Sequence, residues 1–265
     1  MTPAQARDLA LEVALTAGER IAAAWRGGSF TAWTKSGATD LVTEWDGRIE
    51  AEVSGELVRR APGTRALGEE LGGDAGGATW VIDPIDGTVN FVHGHPCFCV
   101  SIGYQEDGEP LAGVVVAPVL GWVFVGARGH GARKRVAGTW TPMCVSGTAQ
   151  LDKALLATGF PYDRRTSPRN NFAAFVHMQK QAGAVRRMGS AALDLCMLAA
   201  GWFDGYWELK VKPWDIAAGR VLVTEAGGRV SAWDGGPVVA GDSIDLVASN
   251  GSIHDELVRG LAAVP

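Results

Sequence analysis

Trp80-Val81-Ile82-Asp83-Pro84-Ile85-Asp86-Gly87-Thr88 is the stretch of this 265-residue chain on which its reading turns. From Thr79 to Asp83 it is a short run of β-forming apolar residues that breaks off into a polar stretch containing Pro and Gly, the pattern of a buried strand delivering a loop. Asp83 and Asp86 can face one point only if the backbone between them turns sharply. Pro84 fixes one dihedral of that turn, Gly87 leaves a later one free, and the Ile85 carbonyl is exposed as a further oxygen donor. Carboxylate and carbonyl oxygens suit a hard cation such as magnesium, whereas zinc prefers nitrogen and sulfur. Two acids at this spacing also occur on any exposed helix face, so the pair gains meaning only from its surroundings.

Upstream, Thr2-Pro3 reads as a cap and first helical residue, and Leu9, Val13, Ala17 and Ile21 recur at helical spacing, predicting an amphipathic helix over 3–25 that Gly27-Gly28 stops. A second helix is expected from Glu44 to Arg59, with Ile49, Val53 and Leu57 on one side. Downstream, strands are expected over 97–104, 111–117 and 121–127, the last two joined as a hairpin through Pro118 to Gly121. After about residue 150 strand and helix alternate. Strands are expected at 154–158, 184–187, 203–208 and 245–248, and helices at 169–181, 189–200, 214–225 and 253–261. The expected division is an α+β half over 1–148 and an α/β half over 149–265, packed as one two-part unit.

With 47% apolar and 20% charged residues the composition is that of a globular protein. The formal charge of −5 gives no electrostatic reason to bind nucleic acid. Arg133-Lys134-Arg135 and Arg186-Arg187 are short basic runs of the kind that form solvated faces or ion pairs. Cys97, Cys99, Cys144 and Cys196 have neither a CxxC pair nor zinc-site spacing and read as reduced, mostly buried thiols. His93 and His95 sit in a Gly- and Pro-containing loop and read as solvent-facing. No apolar run approaches a membrane span and no signal peptide is evident, so a cytoplasmic location is expected.

Four blocks together resemble the inositol monophosphatase family over nearly the whole chain. Asp83 to Phe91, DPIDGTVNF, is similar to its first signature, and Trp214 to Gly228, WDIAAGRVLVTEAGG, to its second. Gly68-Glu69-Glu70 resembles its glutamate motif, and Lys35 to Thr43 with Asp46 resembles the segment before it. The resemblance implies a layered αβαβα sandwich of the sugar-phosphatase type. It also implies magnesium-dependent hydrolysis of a phosphate monoester, sensitive to lithium, in a homodimer.

By the same resemblance, Glu69, Asp83 and the Ile85 carbonyl would hold one magnesium, and Asp83, Asp86 and Asp215 a second, with a weaker third ion near Glu69. Asp46 would bond Thr88, and Thr88 with Glu69 would orient the attacking water. Crowded carboxylates repel one another and take up protons unless cations neutralise them, which agrees with that assignment. Gly87 and Thr88 would offer backbone N–H groups to phosphate. No nucleophilic side chain is needed: the chain has no GxSxG elbow, and Cys97 and Cys99 lack the glycine-rich loop that activates a phosphatase cysteine.

Ser190, Ala191, Glu208 and Asp215 match family positions lining the sugar-alcohol site, where a carboxylate such as Glu208 can accept bonds from adjacent hydroxyls. Trp207, one of ten tryptophans, is expected to narrow that pocket. The implied substrate is a small phosphorylated polyol, inositol monophosphate first. Histidinol-phosphate, fructose-bisphosphate and nucleotide phosphatases of the same superfamily are the alternatives, and Asn90-Phe91 stands against the nucleotide group, which carries Lys-Glu-Phe there. A reading of a different class, a regulatory protein contacting RNA or the transcription machinery, would be marked by decayed ligands, and here every ligand type is present.

Overall fold

Thr2 caps the first helix as its sequence suggests: its hydroxyl accepts the Gln5 N–H and the Gln5 side chain returns to the Thr2 N–H. We analysed a computed structural model that describes every residue except Ser29, Ser36, Ala38, Ala75 and Pro265. Two positions of the Lys35–Thr43 motif, Ser36 and Ala38, therefore lie outside the described residues.

The chain runs α1 Pro3–Gly27, β1 Ala32–Thr34, β2 Leu41–Thr43, α2 Glu44–Arg60, β3 Arg65–Gly68, β4 Gly72–Gly73, β5 Ala78–Asp86 and α3 Thr88–Val92. Then come β6 Cys99–Glu106, β7 Glu109–Ala117, β8 Trp122–Ala127, β9 Ala132–Val136 and β10 Thr139–Pro142. The remainder is β11 Leu155–Thr158, α4 Phe172–Gln181, β12 Ala184–Arg186, α5 Ala191–Ala199, β13 Gly205–Val211, α6 Pro213–Glu225, β14 Arg229–Ala232, β15 Ile244–Ser249 and α7 His254–Ala262.

Two large sheets result, ordered β10-β9-β8-β7-β6-β5-β3-β4 and β12-β11-β13-β15-β14. Three apolar cores glue five layers together. Helices α1 and α2 lie on one face of the first sheet, where Val100, Ile102, Tyr104, Val114 and Val116 meet Leu9, Val13, Ile49 and Val53. The alternate residues Cys99, Val115, Ala117 and Phe124 face the opposite way, onto α5 and α6. On the far side of those helices Tyr206, Leu246 and Ala248 of the second sheet close the same core. Trp207 and Val247 point away from it, toward Met178 of α4 and Leu257 of α7. Helix α6 approaches the first sheet so closely that a Cβ on Gly113 would sit 2.4 Å from the Ala218 carbonyl oxygen.

Several expectations are corrected. The strand does not stop at Asp83: β5 continues to Asp86 across a break in register between those two residues, so a bulge rather than a free loop re-aims the second carboxylate. Helix α4 begins at Phe172, not 169, because Asn171 takes a left-handed φ of 70°. Strand β9 was hidden by its charges; Arg133 and Arg135 lie over the Trp140 ring of β10 and Lys134 over Trp202, pairings that alternation of apolar residues cannot reveal. The expectation of reduced, mostly buried thiols holds: Cys97, Cys99 and Cys196 are buried free thiols, and Cys144 is a free, exposed one. Among the described residues no helix is long and apolar enough to cross a membrane.

Candidate active site

Two of the carboxylates are placed by the same helix-start device. Asp46 is the third residue of α2, and its Oδ2 reaches back to accept the Thr43 N–H at 2.8 Å and the Thr43 hydroxyl at 2.6 Å. Asp215 is the third residue of α6, and its Oδ2 accepts the Lys212 N–H at 2.7 Å. Such a bond satisfies an otherwise orphan donor and fixes the acid at the helix mouth.

Asp83 and Asp86 flank the bulge in β5. Asp83 is 1% exposed, and its Oδ1 accepts the Ile85 N–H at 3.0 Å. Asp86 is met by the start of α5: the Ser190 hydroxyl and the Ala192 N–H both donate to its Oδ2 at 2.7 Å. Gly87 follows at φ 95°, a left-handed turn into α3. Thr88, on the first turn of α3, has its hydroxyl 3.1 Å from Asp46 Oδ1 and 3.0 Å from the Ile85 carbonyl, so one proton serves two acceptors.

Glu69 lies in the connection after β3, where Lys35 Nζ donates to Glu69 Oε1 at 2.9 Å and also bonds Glu70. Beneath it the buried Glu50 carboxylate accepts the Glu70 and Leu71 N–H groups at 2.7 and 2.8 Å, clamping this connection to α2. Glu50 was missed by sequence reasoning. Its signal was there: it stands one turn beyond Asp46 on the buried face of α2, beside Ile49 and Val53.

These acids act on one another. Burial first, and then Glu69, Asp86 and Asp215, push the Asp83 carboxyl well above the usual range. Asp215 is raised likewise by burial and then by Asp86 and Glu69. Burial lifts Asp86 to about 6 against the bonds from Ser190 and Ala192, and it lifts Asp46 to about 6 against those from Thr43. Glu69 is raised by burial although Lys35 works against the shift. Burial also opposes the charge on Lys35, but Glu69 and Glu70 outweigh it and hold the ammonium protonated. Among the described residues no three His, Cys, Asp or Glu side chains close into a ligand cage. The donor set nevertheless fits a hard divalent cation: it is all oxygen, and a cation would relieve the repulsion that drives these acids toward protonation. His93 and His95 are exposed and lie outside it.

Beyond Asp86, Gly87 and Asp215 opens a cleft of about 90 Å³, walled by Tyr162, Arg187, Ser190, Ala191, Glu208 and Lys212 among others. A larger cleft of about 660 Å³ between α1 and α2, lined by Glu12, Arg20, Glu52 and Arg60, holds none of the site acids, so chemistry rather than size selects the smaller one. Glu208 accepts the Tyr206 hydroxyl at 2.5 Å, and burial raises its carboxyl to about 7 against that bond and against Arg187. The Ser190 hydroxyl is engaged by Asp86 and by the Leu193 N–H at 3.3 Å, whereas Ala191 is part of the cleft wall. Trp207 does not narrow the cleft: it is fully buried on the other face of β13, its Nε1 donating to Asn171 Oδ1 at 2.8 Å.

The pattern that defines the Inositol monophosphatase family matches residues 3–264. A Synechocystis protein named Inositol-1-monophosphatase is 44% identical, over 97% of this chain and 89% of its own length. A Pseudomonas aeruginosa protein named Nus factor SuhB is 38% identical, over 89% of this chain and 91% of its own length. The solved inositol monophosphatase from Anabaena superposes with a TM-score of 0.85 at 42% identity, covering 98% of this chain and 96% of that one. A match that spans both sheets and all the site acids leaves one conclusion: this chain belongs to the inositol monophosphatase family.

Proposed function

We propose that this chain hydrolyses the phosphate monoester of a small polyol, inositol monophosphate above others, with magnesium as its cofactor. The observation that supports this most is that Glu69, Asp83, Asp86 and Asp215 repel one another closely enough to raise each other's carboxyls, while Asp86 and Asp215 line the same cleft as Glu208. The family is metal-dependent. Two to three magnesium ions would be held here, one by Glu69, Asp83 and the Ile85 carbonyl, one by Asp83, Asp86 and Asp215, and a weaker one near Glu69. When bound, such ions neutralise phosphate oxygens and acidify water.

The rest falls to the chain itself. The Gly87 and Thr88 N–H groups are presented to a phosphate at the turn before α3. With the Thr88 proton shared between Asp46 and the Ile85 carbonyl, the Thr88 oxygen is left as an acceptor that orients a water. Glu69 takes that water's proton as it attacks phosphorus in line, the ester phosphorus–oxygen bond breaks, and the leaving polyol oxygen takes up a proton from solvent. Glu208 holds the polyol by its hydroxyls, aided by the cationic rim of Arg187 and Lys212. The two-part division at 148/149 accords with the first sheet ending at Pro142 and the second beginning at Leu155. We extend the proposal to a cytoplasmic homodimer inhibited by lithium. The regulatory reading has less in its favour, since the ligand set is complete and the net charge is negative.

The test is metal removal. Exhaustive chelation should abolish release of phosphate from inositol monophosphate and added magnesium should restore it, with lithium then inhibiting. Full activity after chelation contradicts the proposal.

A further inference from the structure

Helix α5 carries a single acid in an otherwise apolar run, Ala191-Ala192-Leu193-Asp194-Leu195-Cys196-Met197-Leu198-Ala199. Asp194 is 1% exposed, and its Oδ1 is buried without a hydrogen-bond partner among the described residues. Nearly every buried polar atom in a folded protein is paired, because leaving one unpaired forfeits its hydration with nothing in return. A leucine would suit this position in the core far better. The exception therefore calls for a function, and Asp194 has a location that supplies one: it lines the site cleft together with Ser190, Arg187 and Glu208.

The chemistry of the wall is specific. Burial, with Glu208 and Asp86 adding to it and Arg187 opposing, drives the Asp194 carboxyl well above the usual range. A neutral acid offers one O–H donor and a carbonyl acceptor, the complement of a hydroxyl. Glu208 stands on the same wall with one oxygen already taken by Tyr206. Two acidic residues, one from β13 and one from α5, thus line the same cleft.

We infer that Asp194 is a specificity-determining residue of the cleft, bonding a substrate hydroxyl next to the one bound by Glu208. The substrate class is accordingly a polyol phosphate with two hydroxyls turned to this wall, rather than a phosphate ester with an apolar or single-hydroxyl body. The inference rests on the proposal that the cleft takes a polyol phosphate. A water held by Oδ1 would satisfy the same atom without reading the substrate, and the two roles differ in what they do to discrimination.

The experiment compares Asp194→Leu and Asp194→Asn with the parent protein, measuring the ratio of kcat/KM for inositol monophosphate to that for an aryl phosphate, alongside Tm. Leucine should lower the ratio by about tenfold or more, mainly through KM for the polyol, because a site built to bond a hydroxyl discriminates by that bond. It should also leave Tm unchanged or raise it, since an unpaired buried polar group is removed. Asparagine keeps a donor and an acceptor and should bring the ratio back to within about threefold of the parent. If the leucine overfills the site and Tm falls, Asp194→Ala is read in the same way. A ratio that does not move in the leucine or alanine variant, or that asparagine fails to restore, overturns the inference. A parent protein with no preference for the polyol refutes instead the proposal on which it rests, so the two failures are separable.

Discussion

The hydroxyl of Ser190 donates to Asp86 Oδ2 at 2.7 Å and accepts the Leu193 N–H at 3.3 Å. One small side chain thus caps α5 and ties the start of that helix to a carboxylate delivered by the bulge of β5. Ser190→Ala removes a helix cap and a buried bond to a charged group together, for an expected loss of about 1–2 kcal/mol in urea unfolding. It should weaken magnesium binding as well, because Asp86 loses one of the two short bonds that hold its Oδ2. Lowered stability with unchanged magnesium affinity in calorimetry would leave Ser190 only its capping role.

Asp83→Asn and Asp46→Asn should fail in different ways. Neutralising Asp83, proposed to bridge two cations, should abolish both magnesium binding and turnover. Asp46 touches Thr43 and Thr88, so its amide should leave magnesium affinity near the parent value while turnover falls by roughly a hundredfold, the usual worth of an oriented proton acceptor. Calorimetry and rates measured on the same samples decide this, and equal losses in both quantities for Asp46→Asn would contradict the role given to it.

Much of this site was legible because its acids recur in four separate stretches that the chain must bring together. The five-layer order came from the family resemblance and not from period, since the long strands β5, β6 and β7 are buried on both faces and declare no single one. What could not be read was set by contacts across the fold. That the Ser190 hydroxyl is held by Asp86 is visible only in the fold, and Trp207 looks like a pocket wall until the alternation of β13 turns it to the other face. Short strands such as β3 and β14 carry too few residues to show a period and form because a neighbouring strand is already there. Glu50 and Asp194 did leave a trace, as acids on otherwise buried helix faces.

Glu208 predicts a pH dependence confined to polyol substrates. Burial raises its carboxyl to about 7, so it is neutral below that pH and charged above it. An ionised carboxylate accepts stronger bonds from hydroxyls, and kcat/KM for inositol monophosphate should therefore rise as pH passes up through about 7. Glu208→Gln should remove that rise and lower kcat/KM by about tenfold or more. The same rise persisting in the glutamine variant would assign it to another group.

His254 predicts the pH dependence of stability. Its ring nitrogens lie 2.9 Å from the hydroxyls of Ser249 and Ser231, and burial, helped by Arg229, lowers its pKa to about 4 from an ordinary 6.5. A group depressed on folding binds more protons unfolded than folded between those values. Its contribution to stability is present above about pH 6.5 and is lost as pH falls toward 4. The difference in Tm between the parent protein and His254→Asn should therefore shrink as pH is lowered through that window. A difference that stays constant would show that His254 does not titrate there.

The central claim, a polyol-phosphate hydrolase working through the Glu69, Asp83, Asp86 and Asp215 cluster, is tested most directly by one panel of kcat/KM values with magnesium present. It covers inositol monophosphate, histidinol phosphate, fructose bisphosphate, glycerol phosphate and adenosine bisphosphate. Inositol monophosphate should lead the panel, and Asp83→Asn should bring every value to background. Preference for histidinol phosphate by about a hundredfold would overturn the substrate, the size of discrimination a mismatched hydrogen-bonding wall gives. Undiminished hydrolysis by Asp83→Asn would contradict the account at its base.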